Sequence, residues 1–287
     1  MSSTFQTGAL YVVATPIGNL QDISFRAIDI LSRVDQIAVE DTRHSMKLLR
    51  HYNIDTKCIS LHEHNERQIT TDLIEKLKNG VTIALISDAG TPLVSDPGYY
   101  LVKSARYQDI PVVPIPGPCA FIAALSVSGL PTDRFHFEGF LPAKRISRTK
   151  RLLALSQEPQ TIVFYESPHR IVDTIEDLME TFGPQREIAF AKELTKIHET
   201  VFKGTVIDLR DWILADPVRQ KGEIVLLVQG AELSNDTNTD PEIRKLLSIL
   251  MAELPLKQAV HLTAQYTNGT KNDIYALALA LKKQTSN

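Results

Sequence analysis

Asp, Ser, Gly and Pro are concentrated in one stretch of the chain, Ser87 to Gly98, which reads SDAGTPLVSDPG. The stretch directly follows the apolar run VTIALI, which predicts a buried strand. Because proline lacks an N–H donor and glycine adds chain entropy, the stretch cannot extend a sheet. It is also longer than a plain turn requires. It is therefore either an elaborate connection, as Gly, Pro and Asp often form, or a backbone shaped to hold a ligand.

Three further polar loops follow predicted strands in the first half of the chain. They are TPIGNL (Thr15 to Leu20), EDTRHS (Glu40 to Ser45) and PGPCA (Pro116 to Ala120). Open α/β sheets bind ligands just beyond the carboxyl ends of their strands, so four such loops at one edge predict a binding site. The sequence has neither a G-x-G-x-x-G loop after its first strand nor a Walker A loop, which disfavours a phosphate-cradling site. Proline turns instead offer carbonyl oxygens, which suit a cationic or hydroxyl-bearing ligand such as S-adenosylmethionine.

The composition is that of an ordinary soluble globular chain. Of its 287 residues, 43% are hydrophobic and 23% charged, and the net charge of -3 argues against a uniformly basic nucleic-acid binder. Cys58 and Cys119 lie far apart without a CxxC motif, and His62 and His64 lack a recognised ligand pattern, so neither disulfides nor a metal is expected. The N-terminus lacks the features of a signal peptide, and no stretch approaches a membrane span, which indicates a cytosolic protein.

The periodicity of the apolar residues predicts an α/β fold. Strand-like and helix-like segments alternate up to GLPTDRF, Gly129 to Phe135, which is typical of a mainly parallel sheet covered on both faces. Closely spaced strand-like segments then predict a mixed sheet, with FHFEGF, TIVFYE, EIAFAKEL, ETVFKGTVIDL and EIVLLVQG as its strands. After a polar linker, the chain reads as short helices. We therefore predict a first α/β domain at residues 1–120, a second at residues 121–235, and a small C-terminal helical extension at residues 236–287.

Eight strings in the sequence carry a resemblance to a known family. In order, they are TPIGNLQDIS, VEDTRHSMKLL, SDAGTPLVSDPG, VVPIPGPCA, GLPTDRFHFEGFLPAK, FYESPHRI, KELTK and KGEIVLLV. They resemble the bacterial ribosomal RNA methyltransferases of the tetrapyrrole methylase superfamily, over nearly the whole chain. The resemblance implies two α/β domains with S-adenosylmethionine in the cleft between them, and a homodimer. It also implies 2'-O-methylation of a cytidine ribose in 16S ribosomal RNA, at the decoding centre of the small subunit.

The resemblance further implies which residues hold the cofactor. SDAGTP matches the loop beneath the methionine part of the cofactor, PGPCA matches a second loop, and FYESPH and KGEIV match strands that close over the adenosine. The implied cofactor-binding residues are Pro16, Gly18, Ser87, Asp88, Ala89, Gly90, Thr91, Cys119, Ala120, Phe164, Tyr165, Leu194 and Glu223. The first loop, TPIGNL, departs from the G-x-G-x-G-D-like loop of the porphyrin-modifying relatives, which disfavours a tetrapyrrole substrate.

Candidate catalytic residues follow from the chemistry of methyl transfer to a ribose. Displacement at a sulfonium is in line, so alignment of the acceptor supplies much of the rate. A ribose hydroxyl is a very weak acid and profits from a nearby base or cation. Asp41, Arg43 and Lys192 are the candidates, and the sequence does not rank them; the alternative for EDTR is a helix cap with an ion pair. In ESPHR, the G-x-S-x-G elbow is missing, so Pro168 predicts a helix start with Ser167 as its cap.

The segment KRISRTKR, Lys144 to Arg151, places five basic residues in eight positions. Such a run is either a solvated face or a phosphate-binding surface. Because it follows a predicted strand end near the cleft, we predict RNA contacts from Lys144, Arg145, Arg148, Lys150 and Arg151. Two other functions stay open at this point: a methyltransferase of the same fold that acts on a tetrapyrrole or a protein side chain, and a non-enzymatic ribosome assembly protein.

Overall fold

The computed structural model describes residues 5–231, 241–267 and 270–284. The chain divides into two compact units, Met1–Gly230 and Ala231–Asn287. Within these described ranges, the first unit contains two five-stranded sheets and the second contains three helices. In the described ranges, no helix is long and apolar enough to cross a membrane.

The first sheet is entirely parallel, with its strands in the order β3-β2-β4-β1-β5. Its strands are β1 (Leu10–Val13), β2 (Gln36–Val39), β3 (Cys58–Ser60), β4 (Ile83–Ile86) and β5 (Val112–Ile115). Its connections contain α1 (Phe25–Arg33), α2 (Thr42–His51), α3 (Glu66–Lys78) and α4 (Tyr99–Tyr107). Neighbouring residues of one strand belong to different cores, Leu10 on one face and Tyr11 on the other, because side chains alternate along a strand. The predicted parallel sheet covered on both faces is confirmed.

The second sheet is mixed, as the closely spaced strands predict. Its strands are β6 (Phe135–Phe140), β7 (Thr161–Glu166), β8 (Glu187–Lys192), β9 (Thr200–Thr205) and β10 (Ile224–Val228), in the order β6-β7-β10-β8-β9. Only the pair of β6 and β7 is parallel among the pairs that join these strands. Four helices accompany the sheet: α5 (Ala120–Ser128), α6 (Arg145–Leu155), α7 (Ile171–Phe182) and α8 (Val206–Leu214). On one face, Ala124 and Leu125 of α5 pack with Val163 and Ala189.

Two local predictions for this region are wrong. The segment VIDL continues as helix α8 rather than as a strand, because Thr205 and Asp208 form a capping box that starts the helix. Pro168 does not start a helix either. The backbone passes through a turn, and α7 begins at Ile171 with Arg170 as its N-cap, so Ser167 does not cap it.

The second unit consists of α9 (Pro241–Glu253), α10 (Leu256–Thr267) and α11 (Lys271–Gln284). Leu247, Ala259, Ile274 and Ala278 are fully buried and form the centre of its own apolar cluster. The predicted short helices after the linker are thus present. The domain boundaries at residues 120 and 235 stay predictions, and residue 235 lies outside the described residues.

Candidate active site

A cleft of about 430 Å³ is formed by loops from both sheets of the first unit. The loops of the first sheet, with the start of α5, supply Ile17, Glu40, Asp88, Ala89, Gly90, Thr91, Val94, Ser95, Asp96, Cys119 and Ala120. The second sheet supplies Phe140, Tyr165, Glu166, Ser167, Pro168, Ala191, Leu194, Gly222, Glu223, Ile224 and Val225. The topology explains this convergence. The contributing loops leave the carboxyl ends of β1, β2, β4 and β5, while β10 runs antiparallel to β7 and β8 and therefore starts at the edge where they end.

The stretch after β4 is held against its neighbouring loops by backbone hydrogen bonds. Thr15 and Gly90 exchange both: the Thr15 N–H donates to the Gly90 carbonyl at 2.8 Å, and the Gly90 N–H donates to the Thr15 carbonyl at 3.0 Å. The Thr91 hydroxyl donates to the Pro118 carbonyl at 3.0 Å. Gly90 has φ +81°, a conformation that strains other residues, and it lies on the cleft wall. The loop is therefore a shaped wall rather than a plain connection.

Most of the implied cofactor residues come together in the cleft. The residues that line it are Asp88, Ala89, Gly90, Thr91, Cys119, Ala120, Tyr165, Leu194 and Glu223. Pro16, Gly18, Ser87 and Phe164 do not. Ser87 is buried behind the loop, and Gly18 packs closely against Thr195 and Lys196. Phe164 is fully buried in the core with Leu141 and Leu226, because the strand alternation that turns Tyr165 into the cleft turns Phe164 away from it. A direct contact between Phe164 and a cofactor does not fit this placement.

Three carboxylates on the cleft wall lie close enough to influence each other. The pKa of Asp96 is raised to about 6, by burial first and in addition by the nearby charges of Glu40 and Asp88, against a hydrogen bond from Ser87 that lowers it. Burial and the charge of Asp88 also raise the pKa of Glu40. Asp88 accepts a hydrogen bond from the Asp41 N–H at 3.1 Å. In the described ranges, none of these three carboxylates forms an ion pair with a cationic side chain.

Glu40 and Asp96 line the cleft, although neither is among the predicted cofactor-binding or catalytic residues; both lie in loops that the sequence predicts at the site. Asp96 lies in the second half of the quoted loop, so its position after β4 was a usable signal. Two other cleft carboxylates are already neutralised. Glu166 pairs with Arg170 at 2.6 Å and accepts from the Thr174 hydroxyl at 2.7 Å, while Glu223 pairs with Lys196 at 3.1 Å.

The three candidate catalytic residues do not line the cleft. Asp41 accepts from Arg43 Nη2 at 2.7 Å and caps α2 through the Arg43 N–H, so EDTR forms the helix cap and ion pair. Hydrogen bonds from Arg43 lower the pKa of Asp41 to about 2, which makes this carboxylate a poor proton acceptor. Lys192 is buried, and its Nζ donates to the Val218 carbonyl at 2.8 Å.

Most of the basic run forms ion pairs with residues of the second sheet and its helices. Arg148 is buried and donates from Nε to Asp177 at 2.6 Å, so the prediction that it contacts RNA is corrected: its guanidinium cannot reach a phosphate. Arg145 pairs with Asp177 and Glu180, both at 2.9 Å. Arg151 donates two hydrogen bonds of 2.6 Å to the carboxylate of Glu138. Lys144 and Lys150 are exposed.

The comparisons with known proteins agree with this architecture. Residues 9–210 match the family described as Tetrapyrrole (Corrin/Porphyrin) Methylases, and residues 237–282 match the RsmI C-terminal HTH domain. The crystal structure of a uroporphyrin-III-C-methyltransferase from Thermus thermophilus superimposes with a TM-score of 0.53 at 21% identity, covering 77% of this chain and 94% of that chain. This last likeness shows the fold alone.

Curated relatives are similar over almost their entire length. A ribosomal RNA small subunit methyltransferase I from Vibrio cholerae is 51% identical and covers 97% of this chain and 97% of its own length. A protein with the same name from Haemophilus influenzae is 51% identical and covers 96% of this chain and 97% of its own. The chain therefore belongs to the tetrapyrrole methylases and, within them, to the family of ribosomal RNA small subunit methyltransferase I.

The cofactor of this family is S-adenosylmethionine, and the residues of the cleft suit it. A sulfonium and an amino group carry positive charge, and Asp88, Asp96 and Glu40 supply negative charge. The adenosine needs an apolar wall, which Ala191, Leu194, Ile224 and Val225 provide. In the described part of the chain, no group of three His, Cys, Asp or Glu side chains is placed to hold a metal ion.

Proposed function

We propose that this protein transfers a methyl group from S-adenosylmethionine to the 2'-hydroxyl of a cytidine in 16S ribosomal RNA, in the decoding centre of the small subunit. The supporting observation is a 51% identical relative, named for small-subunit ribosomal RNA methylation, that covers 97% of this chain. The cleft agrees with that chemistry, since it combines an apolar wall with carboxylates in the first unit. Such a substrate implies that the protein works in the cytoplasm. The homodimer that the family resemblance implies stays a prediction.

Bound S-adenosylmethionine supplies a methyl group on a positively charged sulfur. The protein has to align the acceptor oxygen with that group and exclude water from it. The hydrogen bonds between Thr15, Gly90 and Thr91 and their neighbours fix the loop that faces the cofactor before it binds. A loop fixed in advance does not need to be ordered during the reaction, which lowers the cost of binding.

Asp96 is the group that we assign to accept the proton of the ribose hydroxyl. It lines the cleft, and its pKa of about 6 leaves it ionised at neutral pH yet far more basic than an ordinary aspartate. The initial candidates serve this role less well, because Asp41 is held in an ion pair and Lys192 is bound to a backbone carbonyl. Burial is the main cause of the high pKa of Asp96, and the negative charges of Glu40 and Asp88 add to it.

The test is incubation with S-adenosylmethionine labelled on its methyl group and with small ribosomal subunits, naked 16S RNA or a ribosomal protein mixture. Nuclease digestion and mass spectrometry then locate the label. We expect one labelled cytidine whose methyl group stays with the ribose after the base is released. Label on a base or on a protein would contradict the proposal. Tight cofactor binding distinguishes this enzyme from a ribosome assembly protein without chemistry, and calorimetry measures it.

A further inference from the structure

A pair of tyrosines stands exposed at the start of α4, directly after the loop that lines the cleft. Tyr99 is 56% exposed and Tyr100 is 37% exposed, and their rings meet edge to face with centroids 5.5 Å apart. Arg67 of α3 lies over the Tyr100 ring at 4.6 Å, and Lys103 lies over the Tyr99 ring at 5.6 Å. We call Arg67, Tyr99, Tyr100 and Lys103 the tyrosine surface.

The tyrosine surface lies beside the cleft because of the chain's connectivity. Val94, Ser95 and Asp96 line the cleft, and Tyr99 follows three residues after Asp96. Helices α3 and α4 both begin at the carboxyl edge of the parallel sheet, after β3 and β4. Three residues span at most about 10 Å, so the neighbouring units of a polymer that occupies the cleft are within reach of this surface.

A buried carboxylate holds the tyrosine surface in place. Glu66 is 5% exposed, and its Oε1 accepts hydrogen bonds from the Gly98 N–H at 3.1 Å and the Tyr100 N–H at 2.7 Å. These bonds fix the first turn of α4 against α3. The two exposed rings are thus presented on a rigid support, which reduces the entropy lost when a partner stacks on them.

The chemistry of the tyrosine surface fits single-stranded RNA. Proteins bind unpaired bases by stacking them on aromatic rings and hold the phosphates with Lys and Arg. In the described ranges, neither Arg67 nor Lys103 forms an ion pair with a carboxylate, whereas Arg145, Arg148 and Arg151 of the basic run all do. Arg67 Nη2 donates to the Tyr100 hydroxyl, which leaves its positive charge and its other N–H groups for a phosphate. The three arginines of the basic run are already neutralised by carboxylates.

We propose that the tyrosine surface binds the single-stranded ribosomal RNA that flanks the methylated nucleotide, by stacking bases on Tyr99 and Tyr100 and pairing phosphates with Arg67 and Lys103. This inference rests on the proposed function and specifies where its substrate is held. It moves the main RNA contact from the basic run of α6 to the N-terminal ends of α3 and α4.

The same helix offers a matched control. Tyr107 is 88% exposed but lies at the opposite end of α4, about 12 Å along the helix axis from Tyr99, and Arg106 is exposed beside it. Tyr107→Ala removes the same residue type from the same helix as Tyr99→Ala does. Arg106→Ala removes an exposed arginine, as Arg67→Ala does, but from the far end of α4. Tyr99→Phe keeps a stacking ring without the hydroxyl.

The experiment measures the affinity for a fluorescein-labelled single-stranded RNA that contains the target cytidine, by anisotropy at two salt concentrations. We expect Tyr99→Ala to weaken the affinity for this RNA about tenfold, whereas Tyr99→Phe and Tyr107→Ala should bind the RNA as the unaltered protein does. Arg67→Ala lowers the slope of log affinity against log salt by about one, and Arg106→Ala leaves it unchanged. We expect calorimetry to give the same affinity for S-adenosylmethionine in all variants, which would show that the cleft is intact.

The outcomes separate the two proposals. An unaltered protein that neither binds this RNA nor methylates small subunits contradicts the proposed function itself. An unaltered protein that does both, with Tyr99→Ala and Tyr107→Ala indistinguishable from it, overturns the tyrosine surface alone. If Tyr99→Ala fails to fold, as judged by circular dichroism, Lys103→Ala decides in its place, because Lys103 is exposed and its loss lowers the salt slope only if it contacts a phosphate.

Discussion

Arg148 and Asp177 form a buried ion pair, with Nε and Oδ2 2.6 Å apart and side chains that are 3% and 1% exposed. The pair joins α6 to α7, and Arg145 shares the other oxygen of the same carboxylate at 2.9 Å. Asp177 takes up two of the five cations of the basic run, Arg145 and Arg148, so the run does not present five free cations to RNA. A guanidinium inside a domain contributes to stability rather than to substrate binding.

Replacement of Arg148 should therefore change stability more than substrate affinity. Removal of one member of a buried pair leaves the other charge without full compensation, and such losses cost about 3 kcal/mol. We expect Arg148→Ala to lower the free energy of unfolding by roughly this amount, measured by urea denaturation. Lys150→Ala, an exposed change on the same helix, should stay within about 0.5 kcal/mol. Equal stability of the two variants would contradict the structural role of Arg148.

Gly90 should be required for cofactor binding rather than for folding. Its φ of +81° strains any β-branched residue, and an added Cβ would lie 3.4 Å from Ile17 Cγ2 on the cleft wall. In Gly90→Val we expect the loop to shift and the affinity for S-adenosylmethionine, measured by calorimetry, to fall about tenfold or more.

Gly80 provides the control for Gly90. It has a φ of +89°, and an added Cβ would meet nothing within 4 Å. Gly80→Val therefore introduces the same kind of backbone strain at the end of α3, without a change in the cleft. An affinity for S-adenosylmethionine that is unaltered in Gly90→Val, or equally reduced in Gly80→Val, would remove this loop from the cofactor site.

The sequence allowed the positions of the cleft loops to be predicted, because each follows an apolar strand. This prediction did not require the order of the strands in the sheet, since the carboxyl ends of all parallel strands lie at one edge. Side-chain partners from distant elements could not be read in this way. Asp177 and Glu138, which neutralise arginines of the basic run, lie on α7 and β6. The raised pKa of Asp96 comes first from its burial and then from charges such as that of Glu40, which enters the cleft from the loop after β2.

The wrong prediction of a strand in VIDL has a different cause, which is the use of apolar periodicity alone. Its apolar pattern continues that of β9, and periodicity alone does not distinguish a short buried strand from a helix. The Thr205 and Asp208 capping box was present in the sequence and marks the helix start. Local capping chemistry outweighs apolar composition at this point.

The first unit should fold without the C-terminal helices. Both sheets have cores composed of their own residues, and the helices after residue 240 have a separate apolar cluster. We expect a chain that ends at Gly230 to keep a cooperative thermal transition by circular dichroism and to bind S-adenosylmethionine with unchanged affinity. Part of its RNA affinity should be lost. Insoluble protein, or a transition that is no longer cooperative, would show that the helices complete the core of the first unit.

Asp96 should control the pH dependence of methyl transfer. A carboxylate accepts a proton only when it is ionised, and the pKa of Asp96 is raised to about 6 by burial and by its negative neighbours. Activity should therefore be fully present above this pKa and fall as the pH drops below about 6, by about tenfold per pH unit well below the pKa. If the base were an aspartate with an ordinary pKa, the same loss of activity would occur about two pH units lower. The measurement is the pH profile of kcat/KM for small ribosomal subunits.

Substitution of Asp96 tests the same assignment without a change of pH. Asp96→Asn keeps the shape and can still accept a hydrogen bond from Ser87, but it cannot take up the proton. We expect kcat to fall about 100-fold, since general base catalysis contributes at least this factor, while the affinity for S-adenosylmethionine remains measurable by calorimetry. Asp41→Asn is the matched control, because Asp41 forms an ion pair with Arg43 and does not line the cleft. If Asp96→Asn keeps the kcat of the unaltered protein, alignment of the acceptor alone carries the reaction, and the cleft carboxylates serve only to hold the cationic cofactor.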